Sequence, residues 1–366
     1  MNPFKGFYQR HIILFNLIFL LFFLYAFLFS LELMGTSLRM FGKGLAETLI
    51  ATTTNPLVGL FIGVLATSII QSSSSTTSIV VGLVAGGALN VANAIPIIMG
   101  ANIGTSVTNM LVSLTQIRRK VEFRRALSAA IVHDFFNVIA VLVLFPLQYY
   151  TNFLGQAATF LGKKFQNIGG LKFLSPVKAL TKPPVGVLKG LIGDYPWILL
   201  ALSLILLLLA LTRMVKSLKV LVVRKAEAWF DRYLFKTALR AFLVGLMLTA
   251  MVQSSSITTS LAVPMAGAGL LTLVQIFPYT LGANVGTTVT AILAALVTGN
   301  LAAIIVAFSH LLFNVSGIII WWPLKFVPIS MAEKFAGIAA RHKMIAILYI
   351  VIVFFLIPIL FISIFR

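Results

Sequence analysis

Gln71-Ser72-Ser73-Ser74-Ser75-Thr76-Thr77-Ser78 places eight uncharged polar side chains in a row within a chain dominated by Leu, Ile, Val, Phe, Ala and Gly. Hydroxyls both donate and accept, and the Gln carboxamide offers a carbonyl and an NH2, so the tract can surround an anion or a hard cation. It carries no charge of its own. Where a helix begins inside it, unpaired backbone N–H groups and the positive end of the helix dipole favour a small oxyanion. Its hydroxyl, carboxamide and freed carbonyl oxygens suit Na+.

The tract recurs. Gln71 to Thr108 aligns without a gap on Gln253 to Thr290 at an offset of 182, with 18 of 38 positions identical. Such internal repetition is typical of membrane transporters. At an offset of 177, His133-Asp134-Phe135-Phe136-Asn137 matches His310-Leu311-Leu312-Phe313-Asn314. Each half thus carries QSSS, GAN[IV]GT and HxxFN in that order. Duplication in register weighs against reading the serines only as small residues that let helices approach in lipid.

Asn102 and Asn284 lie in the GAN[IV]GT stretches, where Gly100, Gly104, Gly282 and Gly286 permit either an unwound backbone, beginning at Pro96 and Pro278, or a close helix seam. His133 and His310 read as satisfied core residues rather than ligands. Asp134 has the apolar counterpart Leu311, and acidic side chains at membrane depth are rare and functional. It either pairs with Arg124 or Arg125 near the surface or binds an ion inside; Glu32 carries the same ambiguity.

The elements that hold these residues must be membrane helices. The 366 residues are 60% hydrophobic and only 10% charged, with mean hydropathy +1.06, against roughly 25% charged in soluble domains. Ile12 to Met34, Tyr195 to Leu211 and Met344 to Ile364 are runs of the length that spans a bilayer, and about eight to ten embedded segments are expected. The first run lacks a cleavage site and reads as a retained helix. Cysteine is absent, which excludes thiolate metal sites, thiol catalysis and disulfides. The net charge of +20 lies between apolar runs, where lipid head groups and the positive-inside bias account for it without nucleic acid.

Pro56 to Ile70, about 22 Å as a helix, and Ala241 to Val252 are too short to cross. Short apolar segments at matching places in two halves predict re-entrant hairpins with a QSSS tip near the midplane, where irregular backbone must be buried or line a wet cavity. The loop Arg118 to Arg125 is strongly basic and its counterpart Thr298-Gly299-Asn300 is neutral, so the halves are predicted to be inverted. Ala157 to Asp194 reads as an extramembrane loop. Arg213 to Arg240 reads as a basic connector with an amphipathic helix around Ala226 to Leu234.

QSSSSTTSIVVGLV, IPIIMGANIGTSVTN, EFRRAL and VHDFFN in the first half, with QSSSITTS, LGANVGTTVTAILAAL and HLLFNVSGII in the second, resemble the type II sodium-dependent phosphate cotransporters over Asn55 to Leu147 and Phe242 to Trp322. The resemblance implies secondary active transport in which Na+ brings inorganic phosphate into the cell. It implies phosphate contacts at Ser73, Ser74, Ser75, Ser255 and Ser256. It implies sodium ligands at Gln71, Thr76, Asn102, Thr105, Gln253, Asn284, Thr287 and Thr290. Members with an acidic residue in HDxFN are similar to the charge-moving form, so Asp134, with Gln116 and Asn137, implies a further sodium site and electrogenic transport. The chain departs from its relatives at Arg119, where an acidic residue is common, at Ala283, where Ser is common, and in lacking the cysteines of the animal extracellular loop. The broader group often carries a soluble C-terminal domain, whereas Arg366 follows an apolar run.

The expectation is therefore an all-α polytopic membrane protein of two inverted-topology repeats. The units are 1–54 (N-terminal helix), 55–150 (first repeat), 151–240 (loop, linking helix and connector), 241–322 (second repeat) and 323–366 (basic loop and last helix). It is expected to be a multi-pass symporter of the plasma (inner) membrane that works by alternating access, with no cofactor beyond Na+ as the only metal, no enzymatic role, and partners limited to phosphate, Na+, lipid and, compatibly, a second copy in a homodimer. Competing readings are a symporter of another oxyanion, an anion channel, and an intramembrane serine hydrolase using His133 and Asp134. The last is disfavoured: the second copy lacks the Asp, no G-x-S-x-G is present, and adjacent helical residues point apart.

Overall fold

The computed structural model describes residues 12–41, 50–167, 175–230, 235 and 237–365, and every regular element among them is helical. In the first half α1 (Ile12–Met40) precedes α2 (Pro56–Ile70) and α3 (Ser73–Ala85), followed by α4 (Val91–Gly104), α5 (Ser106–Leu114) and α6 (Lys120–Thr151). α7 (Phe153–Asn167), α8 (Ser175–Ile192) and α9 (Pro196–Phe230) lead to the second half. There α10 (Ala238–Val252) and α11 (Ser255–Gly267) precede α12 (Leu273–Thr298) and α13 (Leu301–Trp321). α14 (Phe326–Arg341) and α15 (Met344–Phe365) follow, the latter widened by a π turn at Ile352–Leu356. Seven helices among the described residues are long and apolar enough to cross a bilayer, which makes this a multi-pass membrane protein.

The two polar tracts fold alike. Asn55 caps α2 by accepting from the Leu57 N–H at 3.0 Å, with Pro56 pre-set for the first turn. The helix stops at Gln71 (φ 56°, ψ 29°), whose N–H returns to Thr67 O, and Ser72 (φ −152°, ψ 102°) caps α3. In the second half Thr237 caps α10, Gln253 (φ 55°, ψ 29°) stops it, and Ser254 (φ −151°, ψ 105°) caps α11. A left-handed Gln costs roughly 1–2 kcal/mol, and both halves hold one at the same place. The helices of each pair, of 15 and 13 residues, reach only about 20 Å.

Each pair is bolted to the next helix through backbone contact. A Cβ on Gly63 or Gly100 would overlap the carbonyls of Ile97 and Leu60, and one on Gly245 or Gly282 those of Tyr279 and Phe242. The expected unwinding at GAN[IV]GT is therefore replaced by the seam. The second stretch is helical throughout and the first through Gly104, with one turn residue, Thr105, before α5; the helices start before the prolines, at Val91 and Leu273, leaving Pro96 and Pro278 inside. Small residues permit the approach that lipid alone does not drive. Gly282→Ala should cost about 1–3 kcal/mol through overpacking, read as a lower thermal midpoint in detergent. Gly186→Ala, with open space around it, should leave the midpoint unchanged.

The halves interlock: α3 packs on α12, and α11 packs on α5 and α6. Ala157 to Asp194, expected as an extramembrane loop, is mostly helical among its described residues, since α7 runs to Asn167 and α8 from Ser175 to Ile192, with 168–174 outside them. Leu154 and Ala158 are buried, Gly162 lies against Ile305 and Leu301, and Val185 clusters with Leu33 and Leu199, while Lys163, Lys164, Lys182 and Lys189 face outward. The lysines concealed apolar stripes at helical spacing. The Arg118–Arg125 stretch is helical from Lys120 onward. α9 continues to Phe230, and Asp231–Leu234, the end of the expected amphipathic helix, lies outside the described residues.

Candidate functional site

The two tips touch. Ser74 Oγ donates to the Gln253 carbonyl at 3.0 Å, joining the start of α3 to the end of α10 across 179 residues of sequence. Ser73, Ser74, Ser75, Thr76, Ser255 and Ser256 are all buried, Gln253 is half-buried, and Gln71 is exposed. Ser75 Oγ bonds Ser72 Oγ at 2.9 Å and Thr76 Oγ1 bonds Ser72 O at 3.2 Å, which rigidifies the first turn of α3. In the second tip Thr258 Oγ1 bonds Thr249 Oγ1 at 2.6 Å, tying α11 to α10. The Ser73 and Ser256 hydroxyls enter none of these bonds.

Each tip pairs unlike helix ends. The last carbonyls of α2 and α10 have no partners within their helices, nor do the first N–H groups of α3 and α11. Carbonyl oxygens suited to a cation and N–H groups suited to an anion are therefore separated by only two residues at each break.

Beside the tips runs a buried chain of hydrogen bonds that crosses between the halves. Asn137 Nδ2 donates to Asn102 O (2.8 Å), Asn284 Nδ2 donates to Asn137 Oδ1 (2.8 Å), and His133 Nε2 meets Asn284 Oδ1 at 2.6 Å. Asn109 Nδ2 reaches His133 Nδ1 (3.4 Å) and Thr259 Oγ1 (2.8 Å), and Thr259 Oγ1 donates to Ser255 O (2.6 Å). Because Asn284 spends its NH2 on Asn137, its carbonyl must accept, so a neutral His133 with the proton on Nε2 satisfies both ring nitrogens. Both GAN asparagines, one HxxFN motif and the second QSSS tip are thereby linked.

The mirror half does not reproduce this chain. Neither His310 ring nitrogen, nor Asn314 Oδ1, nor Thr290 Oγ1, has a hydrogen-bond partner among the described residues. Asn109 corresponds to Ala291, so the donor that would complete a second chain is missing. The expectation of satisfied core histidines fits His133 and fails for His310. Thr105, at the junction of α4 and α5, and Thr287, within α12, bond back to Ala101 O and Ala283 O, both at 3.0 Å.

Asp134 is fully buried and has no basic partner among the described residues, Arg124 and Arg125 included, which removes the surface pairing. Tyr349 donates to its Oδ2 at 2.6 Å, the Ser106 hydroxyl lies beside the carboxylate, and Oδ1 has no partner within 3.5 Å among the described residues. Tyr349 is held among Phe135 and Phe335, with ring centroids at 6.2 and 4.9 Å. Gln116 is not brought to Asp134: its side chain lies against Gly267, and about 20 Å of α6 separates Lys120 from Asp134. Glu32 lies 4.0 Å from Arg39, away from the tips.

Sequence reasoning missed Asn109, Thr259 and Tyr349. Asn109 closes the GANIGTSVTN stretch, and its polar-to-Ala change between copies was a visible signal. Tyr349 sits in a strongly apolar run, where a tyrosine reads as an interfacial anchor.

Comparison with known proteins gives one family. The sequence matches the family described as Na+/Pi-cotransporter over residues 26–175 and 206–322. It is 35% identical over 448 residues to sodium-dependent phosphate transport protein 2B of Homo sapiens, covering 94% of this chain and 64% of that protein. The 2B protein of Pongo abelii gives the same figures. Sodium-dependent phosphate transport protein 2A of Mus musculus is 34% identical over 416 residues, 92% of this chain and 65% of that protein. The chain thus spans about 64% of the length of these two 2B proteins. No solved structure matches it.

Proposed function

Because the chain belongs to the Na+/Pi-cotransporter family, we propose that it couples inward Na+ movement to the uptake of inorganic phosphate across the plasma (inner) membrane. The observation that carries this reading is the tip-to-tip bond from Ser74 to Gln253. It brings the N-termini of α3 and α11 to one place, as binding a single anion between two halves requires.

The two helix ends supply together about one positive charge. Phosphate near neutral pH carries between one and two negative charges, and the tips contain no Lys or Arg. Helix ends alone therefore leave a buried anion under-neutralised, at substantial cost. Sodium on the carbonyl ends of α2 and α10, and on the Gln71, Gln253 and threonine oxygens, supplies the balance, which makes phosphate binding depend on sodium. Ser73, Ser74, Ser75, Ser255 and Ser256 contact phosphate, while Asn102, Asn137 and Asn284 hold the sodium-bearing segments in register. The hairpins are re-entrant, the repeats are inverted, and rocking of one half against the other exposes the site alternately. Asp134, with Tyr349 and Ser106 beside its carboxylate, takes an additional Na+ and makes the cycle electrogenic.

Purified protein in liposomes with an inward Na+ gradient should accumulate radiolabelled phosphate, and uptake should vanish when K+ replaces Na+. Sodium-independent uptake would instead favour a channel, and sulfate uptake exceeding phosphate uptake would favour another oxyanion.

A further inference from the structure

Far from the tips, α6, α14 and the turn between α11 and α12 line a cavity of about 1060 Å³ that is open on one side, with its basic side chains exposed. Lys120, Arg124, Arg125, Lys334 and Arg341 line it against one acid, Glu333. Among the described residues the ion pairs are Arg39–Glu32 and Arg119–Glu122, so no cation of this cavity has an acidic partner within 4.0 Å. Its arginines reach opposite walls. A Cβ on Gly269, in the α11–α12 turn, would lie 2.7 Å from Arg125 Nη1, and one on Gly337, in α14, would lie 4.0 Å from Arg124 Nε. The floor is formed by small or apolar groups such as Ala129, Ala266 and Leu271. The N-terminus of α6 opens here with no side-chain cap, adding the positive end of its dipole.

Five unpaired cations in a concave, uncapped setting repel one another unless an anion joins them, and guanidinium forks match phosphoryl oxygens bidentately. We propose that this cavity is a second anion site, specific for phosphoryl groups and separate from the QSSS tips. Its occupant is free phosphate or the phosphomonoester head group of a membrane lipid. The stretch containing Lys120, Arg124 and Arg125 is the one that the positive-inside bias assigns to the cytoplasm, where anionic lipids concentrate. The inference does not depend on transport and stands or falls separately from the proposed symport.

The full-length protein in detergent is treated with an amine-acetylating reagent, and the rates at Lys120 and Lys334 are read by mass spectrometry, with exposed Lys163 as the internal comparator. Sodium-free potassium phosphate at millimolar concentration should slow both rates relative to potassium chloride of equal ionic strength. A parallel arm uses phosphatidylcholine nanodiscs with and without phosphatidic acid, free of inorganic phosphate. Protection in the first arm only identifies free phosphate, protection in the second only identifies the lipid, and protection in both identifies either source; each supports the site. The double variant Arg124→Gln/Arg341→Gln, at two exposed positions, should weaken protection roughly 25-fold, at about fivefold per basic group. Absence of protection in both arms, equal protection by chloride, or undiminished protection in the variant overturns the proposal.

Discussion

Asn284→Leu should reduce sodium-driven phosphate uptake at least a hundredfold and lower stability by about 2–6 kcal/mol. Asn284 is the only link between His133 Nε2 and Asn137 Oδ1 in the buried chain. Leu fills its volume but leaves both polar atoms stranded, at about 1–3 kcal/mol each, and breaks one of the polar links between the halves, leaving those at Ser74–Gln253 and Asn109–Thr259 in place. Asn109→Ala, at the other end of the chain, removes the contacts to His133 and Thr259 and should have a smaller effect in the same direction. Unfolding and uptake measured on the same preparation separate the two consequences. Uptake within tenfold of the parent would mean that the cross-half chain serves the fold alone.

Asp134→Gly should leave sodium-gradient uptake in place while removing most of its response to membrane potential. Moving one elementary charge through 100 mV is worth about 2.3 kcal/mol, or roughly a 50-fold accumulation ratio. If Asp134 holds the additional Na+, that factor disappears in liposomes clamped with a potassium gradient and valinomycin. Tyr349→Phe preserves the carboxylate but removes its orienting bond, so potential dependence should survive with a several-fold weaker affinity for sodium. An unchanged voltage response in Asp134→Gly would remove the carboxylate from the charge-moving step.

The duplicated motifs made the helix–turn–helix pairs legible, because an apolar run too short to cross precedes a polar tract at the same place in both halves; the left-handed Gln at each break, a conformation Gln does not favour, was not legible. The contact between the tips was implied by the resemblance alone, since nothing in the spacing says where two breaks 182 residues apart will meet. GAN[IV]GT was ambiguous on its face: glycines that permit unwinding also permit close approach, and Leu60 and Phe242, whose carbonyls decide between the two, lie outside the motif. Lys163, Lys164, Lys182 and Lys189 drew attention to charge and away from the apolar stripe on the other side of α7 and α8. Burial of Asp134 was foreshadowed by its apolar counterpart Leu311. Its partner Tyr349 comes from α15, which no repeat connects to it.

The chain contains no cysteine, so Ser256→Cys gives a unique and nearly isosteric reporter at the second tip. The decisive measurement is its rate of modification by a small thiol reagent. Phosphate and Na+ together should slow the reaction strongly, while phosphate with K+ should not. A rate indifferent to phosphate in the presence of Na+, in protein that still transports, would contradict a phosphate site formed where the two QSSS tips meet.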